Sequence, residues 1–76
     1  MRIDFSNANP YTIYIRPNGY EAPWEMLDGV EFGVMHYFYS RDEALQSALD
    51  LAKRSRLVLH EADASDAIVG TWNLRA

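Results

Sequence analysis

The chain contains no cysteine, which excludes a disulfide-stapled scaffold and any thiolate zinc site, and fits a reducing compartment. It also lacks an apolar run long enough to span a bilayer, and Met1-Arg2-Ile3-Asp4-Phe5 carries none of the hydrophobic stretch of a signal peptide. A soluble cytoplasmic protein is therefore expected. No Gly-x-Ser-x-Gly, Walker or dinucleotide pattern occurs, so nothing positive points to an enzyme, and no cofactor is expected. Positive charge is scarce: seven Lys and Arg against eleven Asp and Glu leave a formal net charge of -4, which argues against direct nucleic-acid binding by general phosphate neutralisation. Repeats, low-complexity tracts and linkers are absent as well, so the 76 residues read as one domain, 1–76.

What is present is a dense apolar complement. Hydrophobic residues make up 49% and aromatics 13% of the chain, well outside the range of disordered sequences. A domain of this size buries only about 60% of the surface its unfolded chain exposes. Each large apolar side chain it buries contributes about 1.5–3 kcal/mol, enough for a small core to hold without metal or disulfide.

The segment Ser40 to Arg54 has every mark of an amphipathic helix. Ser40 and Glu43 form a capping box in which each side chain takes the other's amide, and Tyr39 is placed to staple onto Ala44. Asp42 and Glu43 at the start and Lys53 and Arg54 at the end complement the helix dipole. Ala44, Leu45, Ala48, Leu49 and Ala52 form one stripe, whose alanines allow close approach to a sheet.

Strands are expected on both sides of it. Tyr11–Arg16 alternates, with Tyr11, Ile13 and Ile15 toward the helix and Thr12, Tyr14 and Arg16 away from it. Pro17-Asn18-Gly19 then turns the chain. Pro23–Leu27 follows, closed by Asp28-Gly29 as a two-residue hairpin loop, and Val30–Tyr39 is the longest strand, with Val34 and Phe38 inward and Gly33 marking a bulge. Arg56–Glu61 and Ala67–Leu74 complete the pattern around an Ala62–Asp66 turn. A short strand at Arg2–Phe5 is a weaker expectation. The order is β-β-β-α-β-β: an α+β domain, an antiparallel sheet with one helix packed on one face.

Several residues are candidates for function. His36 and His60 would serve as metal ligands or bases only by converging with carboxylates such as Asp28 or Glu61, and their spacing matches no ligand motif, so two ordinary strand histidines are expected. Ser40 lies near His36 and Asp42, but its capping role accounts for it. Tyr14, Met35 and Tyr37 are expected to share the sheet face left bare by the single helix, a patch of the kind enriched at interfaces or suited to a homodimer. Between Pro17 and Ser40 stand Glu21, Glu25, Asp28 and Glu31 with no Lys or Arg, and Glu61, Asp63 and Asp66 form a second acidic group. Such segregated charge either keeps a small protein soluble or complements a basic groove.

With Ser40-Arg41-Asp42-Glu43-Ala44 opening its helix, Leu51-Ala52-Lys53 closing it and Leu57-Val58-Leu59-His60 as the next strand, the chain resembles very short bacterial and phage α+β proteins of unknown function. In size, acidity and lack of a catalytic motif it also looks like phage-encoded inhibitors of host defence, especially the anti-CRISPR proteins. That likeness implies a non-enzymatic module that binds a protein partner, such as a Cas effector complex, and blocks nucleic-acid access through Glu21, Glu25, Asp28, Glu31, Tyr14 and Tyr37. The alternative is a small self-assembling protein that pairs through the aromatic sheet face.

Overall fold

The computed structural model describes residues 1–19 and 23–75. Its elements are β1 (Thr12–Pro17), β2 (Trp24–Asp28), β3 (Val34–Phe38), α1 (Arg41–Ala52), β4 (Leu57–Ala62) and β5 (Ile68–Leu74), the expected β-β-β-α-β-β order. They form one five-stranded sheet, β3-β2-β1-β4-β5. No described helix is long and apolar enough to cross a membrane.

The sheet is mixed rather than antiparallel: β1 and β4 run parallel, with Ile13 beside Leu59, while the other neighbours are antiparallel. The cause is the connection through α1. Two hairpins leave β3 pointing the same way as β1, and the helix carries the chain back over the sheet to enter β4 in that same direction.

Alternation along β1 sets Ile13 and Ile15 in the helix-facing layer as expected, but Tyr11 precedes the strand and is exposed rather than facing the helix. Ile13 and Ile15 join Met26, Phe38, Leu57 and Leu59 beneath Ala44, Ala48 and Ala52 in the main core. The three alanines are buried, but Leu45 is only half-buried and Leu49 exposed, so the stripe is rotated toward its small residues. Small side chains bring the helix axis close to the sheet, and the leucines are left at its flank.

The helix start differs in detail from the capping box described above. The Glu43 amide donates to Ser40 Oγ at 3.1 Å, but the Glu43 carboxylate accepts from the amide of Tyr39 at 3.0 Å, one residue earlier than Ser40. Tyr39 is not a staple, since 78% of it is exposed; Phe38, buried on the sheet, packs in the cluster with Ala44 instead. At the other end the helix stops at Ala52, leaving Lys53 as its cap, paired with Asp50 at 3.2 Å, and Arg54 beyond it.

The β2–β3 connection is not the two-residue hairpin that Asp28-Gly29 suggests. It runs from Gly29 to Gly33, because the Asp28 carboxylate accepts the amides of Val30 and Glu31 at 2.8 and 2.7 Å, and Phe32 takes a positive φ of 62°. Gly29 serves close packing instead: a side chain there would overlap the carbonyl oxygens of Thr12 and Asn9. The bulge falls at Met35 rather than Gly33, since Met26 pairs with His36 and Leu27 with Val34. That extra residue reverses the parity of the strand's beginning. Val34 therefore shares a face with Tyr37 rather than with Phe38.

The second face of the sheet is not bare. Arg2 makes a single antiparallel bridge to Ala67 in place of a strand at Arg2–Phe5, and Ile3 drops into a second cluster with Tyr14, Leu27 and Ala62, flanked by Phe32 and Ile68. Phe5 meets Phe32 edge-on at 5.3 Å between centroids. The segment before β1 thus straps part of the face opposite the helix.

Candidate functional site

The strap decides which residues of the second face can meet a partner. Tyr14 lies on that face but is only 7% exposed, sandwiched by Phe32 at 5.9 Å and His60 at 5.5 Å between ring centroids. Its burial, with the nearby Asp4 charge, raises the phenol pKa, so it stays neutral and serves as core. The expected Tyr14–Met35–Tyr37 patch loses its first member for this reason. Tyr37, beyond the strap on edge strand β3, is 52% exposed, and Met35 at the bulge is 46% exposed. Val34, expected to pack inward, and Tyr39, expected to staple onto Ala44, are exposed as well.

The acidic residues separate in the same way. Glu21 lies outside the described residues. Glu25 is buried and held between Arg16, whose Nε donates at 2.8 Å, and Asn18, whose Nδ2 donates at 3.1 Å. Arg16 Nη1 also donates to Asp66 at 2.6 Å, so one guanidinium ties β1 to β2 and to the β4–β5 turn. Burial works against the Arg16 charge, but its hydrogen bonds to both carboxylates outweigh that, and its pKa is held above the ordinary value. These groups, with Pro17, Tyr37 and Ala64, line a shallow polar cleft of about 450 Å³. One guanidinium is shared there between two carboxylates, so the cleft keeps a net negative charge.

Asp28 is the turn acceptor described above; its hydrogen bonds from the amides of Glu31 and Val30 hold its pKa below the usual value. Of the four acids between Pro17 and Ser40, Glu31 is the described one that stands exposed and unburdened by the fold. The second acidic group is also largely structural. Glu61 is buried and takes a bidentate pair from Arg41 at 2.8 and 2.9 Å, locking the helix start to β4. Asp63 accepts the Ser65 hydroxyl, the Ser65 amide and the Ala67 amide, bonds that lower its pKa. Asp66 pairs with Arg16 and adopts a φ of 66°.

Apart from Asp4 before β1, the remaining exposed acids lie at Glu31 and along α1, where Glu43 also accepts the Tyr39 amide and Asp50 pairs with Lys53. Asp42, Glu43 and Asp50 of α1 line a broad, shallow depression of about 440 Å³ together with Phe38, Gln46 and Ser47. The β3 edge therefore has two sides: Val34 and Tyr37 stand on the face away from the helix, Tyr37 at the cleft of Arg16, Glu25 and Asp66, and the acidic helix flank lies on the helix side beside Phe38. Sequence reasoning found Met35, Tyr37 and Glu31 but missed this flank, although the bare spacing of Asp42, Glu43 and Asp50 on a helix gives it.

The two histidines do not converge. His36 pairs with Met26 on the helix side and lies 4.9 Å from Phe38 between ring centroids. His60 pairs with Tyr14 on the opposite face and is hydrogen-bonded through Nδ1 to Thr71 Oγ1 at 2.9 Å, its pKa lowered by burial. A shared metal or proton-transfer role would require both on one face. Among the described residues no group of three His, Asp or Glu side chains is arranged to hold a metal ion. Ser40 Oγ is engaged by the Glu43 amide, as its capping role requires.

No protein-family model, curated protein or solved structure matches this chain.

Proposed function

We infer that this protein is a non-enzymatic binding module whose β3 edge and neighbouring acidic helix flank engage a protein partner with a basic surface. The observation that carries this reading is the exposed Val34, Met35 and Tyr37 on edge strand β3, with Tyr39 exposed just after it, in a domain whose other large side chains are mostly drawn into its two clusters. Exposed aromatic and methionine side chains ringed by charge are the makings of an anchor and a rim. The absence of Lys and Arg from 18 to 39, together with Asp42, Glu43 and Asp50, makes that rim acidic. A basic nucleic-acid groove, as in a Cas effector complex, is the class of surface it complements, and occupying such a groove blocks nucleic-acid entry.

Affinity capture from a host lysate tests the reading. Wild type, Tyr37→Glu and Asn73→Lys serve as parallel baits at low and high salt. The expected result is a nucleic-acid-handling protein retained by wild type and Asn73→Lys, lost by Tyr37→Glu, and weakened as salt rises. Equal capture by all three baits overturns it.

A further inference from the structure

The scarce positive charge of this acidic chain is gathered at one end of the sheet. Lys53 and Arg54 follow α1, Arg56 immediately precedes β4, and Arg75 immediately follows β5. Because Leu57 pairs with Leu74 and Val58 with Asn73, the next residues out, Arg56 and Arg75, stand opposite one another where the ladder ends. Like charges placed opposite each other across a strand pair repel. Nothing within the chain relieves this pair. Among the described residues neither the Arg56 nor the Arg75 guanidinium makes an ion pair or a hydrogen bond, whereas Arg16, Arg41 and Lys53 each hold a carboxylate.

The two arginines line one cavity of about 220 Å³ floored by Leu57 and Val58, and no Asp or Glu contributes to its wall. Asn9 and Tyr11 complete its side. The segment before β1 is fastened there by two hydrogen bonds: Asn9 Oδ1 accepts the Tyr11 amide at 2.9 Å, and the Tyr11 carbonyl accepts the Val58 amide at 2.7 Å. With its Oδ1 engaged, the Asn9 side chain keeps the two N–H donors of its amide nitrogen. Tyr11, 55% exposed, leaves its ring and hydroxyl accessible beside them.

The chemistry of these groups selects an anion and its charge. Two guanidiniums balance a dianion, and each can direct paired N–H groups at two oxygens of a tetrahedral phosphate. A carboxylate, with one charge, would leave one arginine uncompensated. At physiological ionic strength the Debye length of about 8 Å screens acids elsewhere on the molecule, so the local pair of positive charges dominates despite the net charge of -4. The cavity has room for a phosphate and part of what it is attached to, with the Tyr11 ring as a wall on which a planar group can lie.

We propose that the Arg56–Arg75 cavity is a binding site for a phosphate dianion, the group shared by free phosphate and phosphate monoesters. Arg56 and Arg75 hold its oxygens, and Asn9 and Tyr11 close its side. The site lies on the β4–β5 side of the sheet, away from the β3 edge, and is independent of the partner proposed for that edge.

Amide chemical shifts of isotope-labelled protein, titrated with sodium phosphate and separately with adenosine monophosphate, test it. The titrations are run at constant ionic strength and about pH 7.5, above the second pKa of about 6 that phosphate monoesters have. Saturable shifts are expected around Asn9, Tyr11, Arg56, Val58 and Arg75, with a Kd of about 1 mM or below for at least one probe. Arg56→Gln and Arg75→Gln, both at exposed positions, are each expected to weaken binding at least about tenfold with unchanged circular dichroism. Arg54→Gln, which removes an equal charge outside the cavity, is expected to stay within about twofold of wild type. Tighter binding of adenosine monophosphate that is lost in Tyr11→Ala supports the site with a monoester as its ligand, and equal affinity for the two probes supports it with the free anion. Shifts that do not saturate, binding unchanged in both Arg56→Gln and Arg75→Gln, or a loss in Arg54→Gln as large as theirs overturns the proposal.

Discussion

Glu25→Ala separates a structural acid from a surface acid. The residue is 7% exposed, its carboxylate accepts from Arg16 and Asn18, and it stands among the acids that sequence alone would assign to partner binding. Truncating one partner of a fully buried ion pair costs about 3–5 kcal/mol. Here the Arg16 side chain is 26% exposed and keeps Asp66 at 2.6 Å, so solvent and the second acid reduce the loss to about 2 kcal/mol. For a domain of this size that lowers the melting temperature by about 8–16 °C. Glu31→Ala, at an exposed turn position, is expected within about 0.5 kcal/mol of wild type. The assay is thermal and urea unfolding followed by circular dichroism. Glu25→Ala melting within about 2 °C of wild type would refute the reasoning.

Three further outcomes follow from the packing and the pKa shifts. Lowered by burial, the folded-state pKa of His60 leaves the unfolded chain binding more protons just below the ordinary value of 6.5, so stability falls as pH drops from there toward the folded pKa. Urea midpoints should show that slope, and His60→Phe should flatten it; Asp28 and Asp63, with pKa values below 3.8, contribute only at more acid pH. Gly29→Ala is expected to cost about 2 kcal/mol or more by driving a methyl group into the Thr12 and Asn9 carbonyls, checked by the same unfolding curves. Ala48→Leu, at a position with no exposed surface where helix meets sheet, is expected to cost about 1–3 kcal/mol by overpacking, with a melting temperature at or above wild type as the contrary result.

The features legible in the sequence are those fixed by near neighbours. Ser40 and Glu43 are three residues apart, so the helix start could be read, and the alternation of Ile13 and Ile15 named the core face of β1. Features set by distant contacts could not be read. Gly29 is a glycine because Asn9 and Thr12 press on it, while local reading takes Asp28-Gly29 for a tight hairpin turn. The parallel β1–β4 pairing depends on where α1 returns the chain. Glu25 and Glu61 look like surface acids until the register places Arg16 and Arg41 against them. Tyr14 looks exposed until the irregular strap from Ile3 to Phe5 closes over it, a segment with no periodicity to announce it.

The charge segregation of the sequence survives in reduced form. Acids on β2 and β4 are consumed by the fold, and apart from Asp4 the exposed remainder lies at Glu31 and along α1. The most direct test of that surface is a binding titration with the protein that wild type captures, comparing wild type, Tyr37→Glu and Asn73→Lys at matched salt, with melting temperatures taken alongside. The account predicts at least a tenfold weaker Kd for Tyr37→Glu at unchanged stability, the loss of about 1.4 kcal/mol or more expected of an anchor residue, and no change for Asn73→Lys. Equal affinity for Tyr37→Glu and wild type would contradict it.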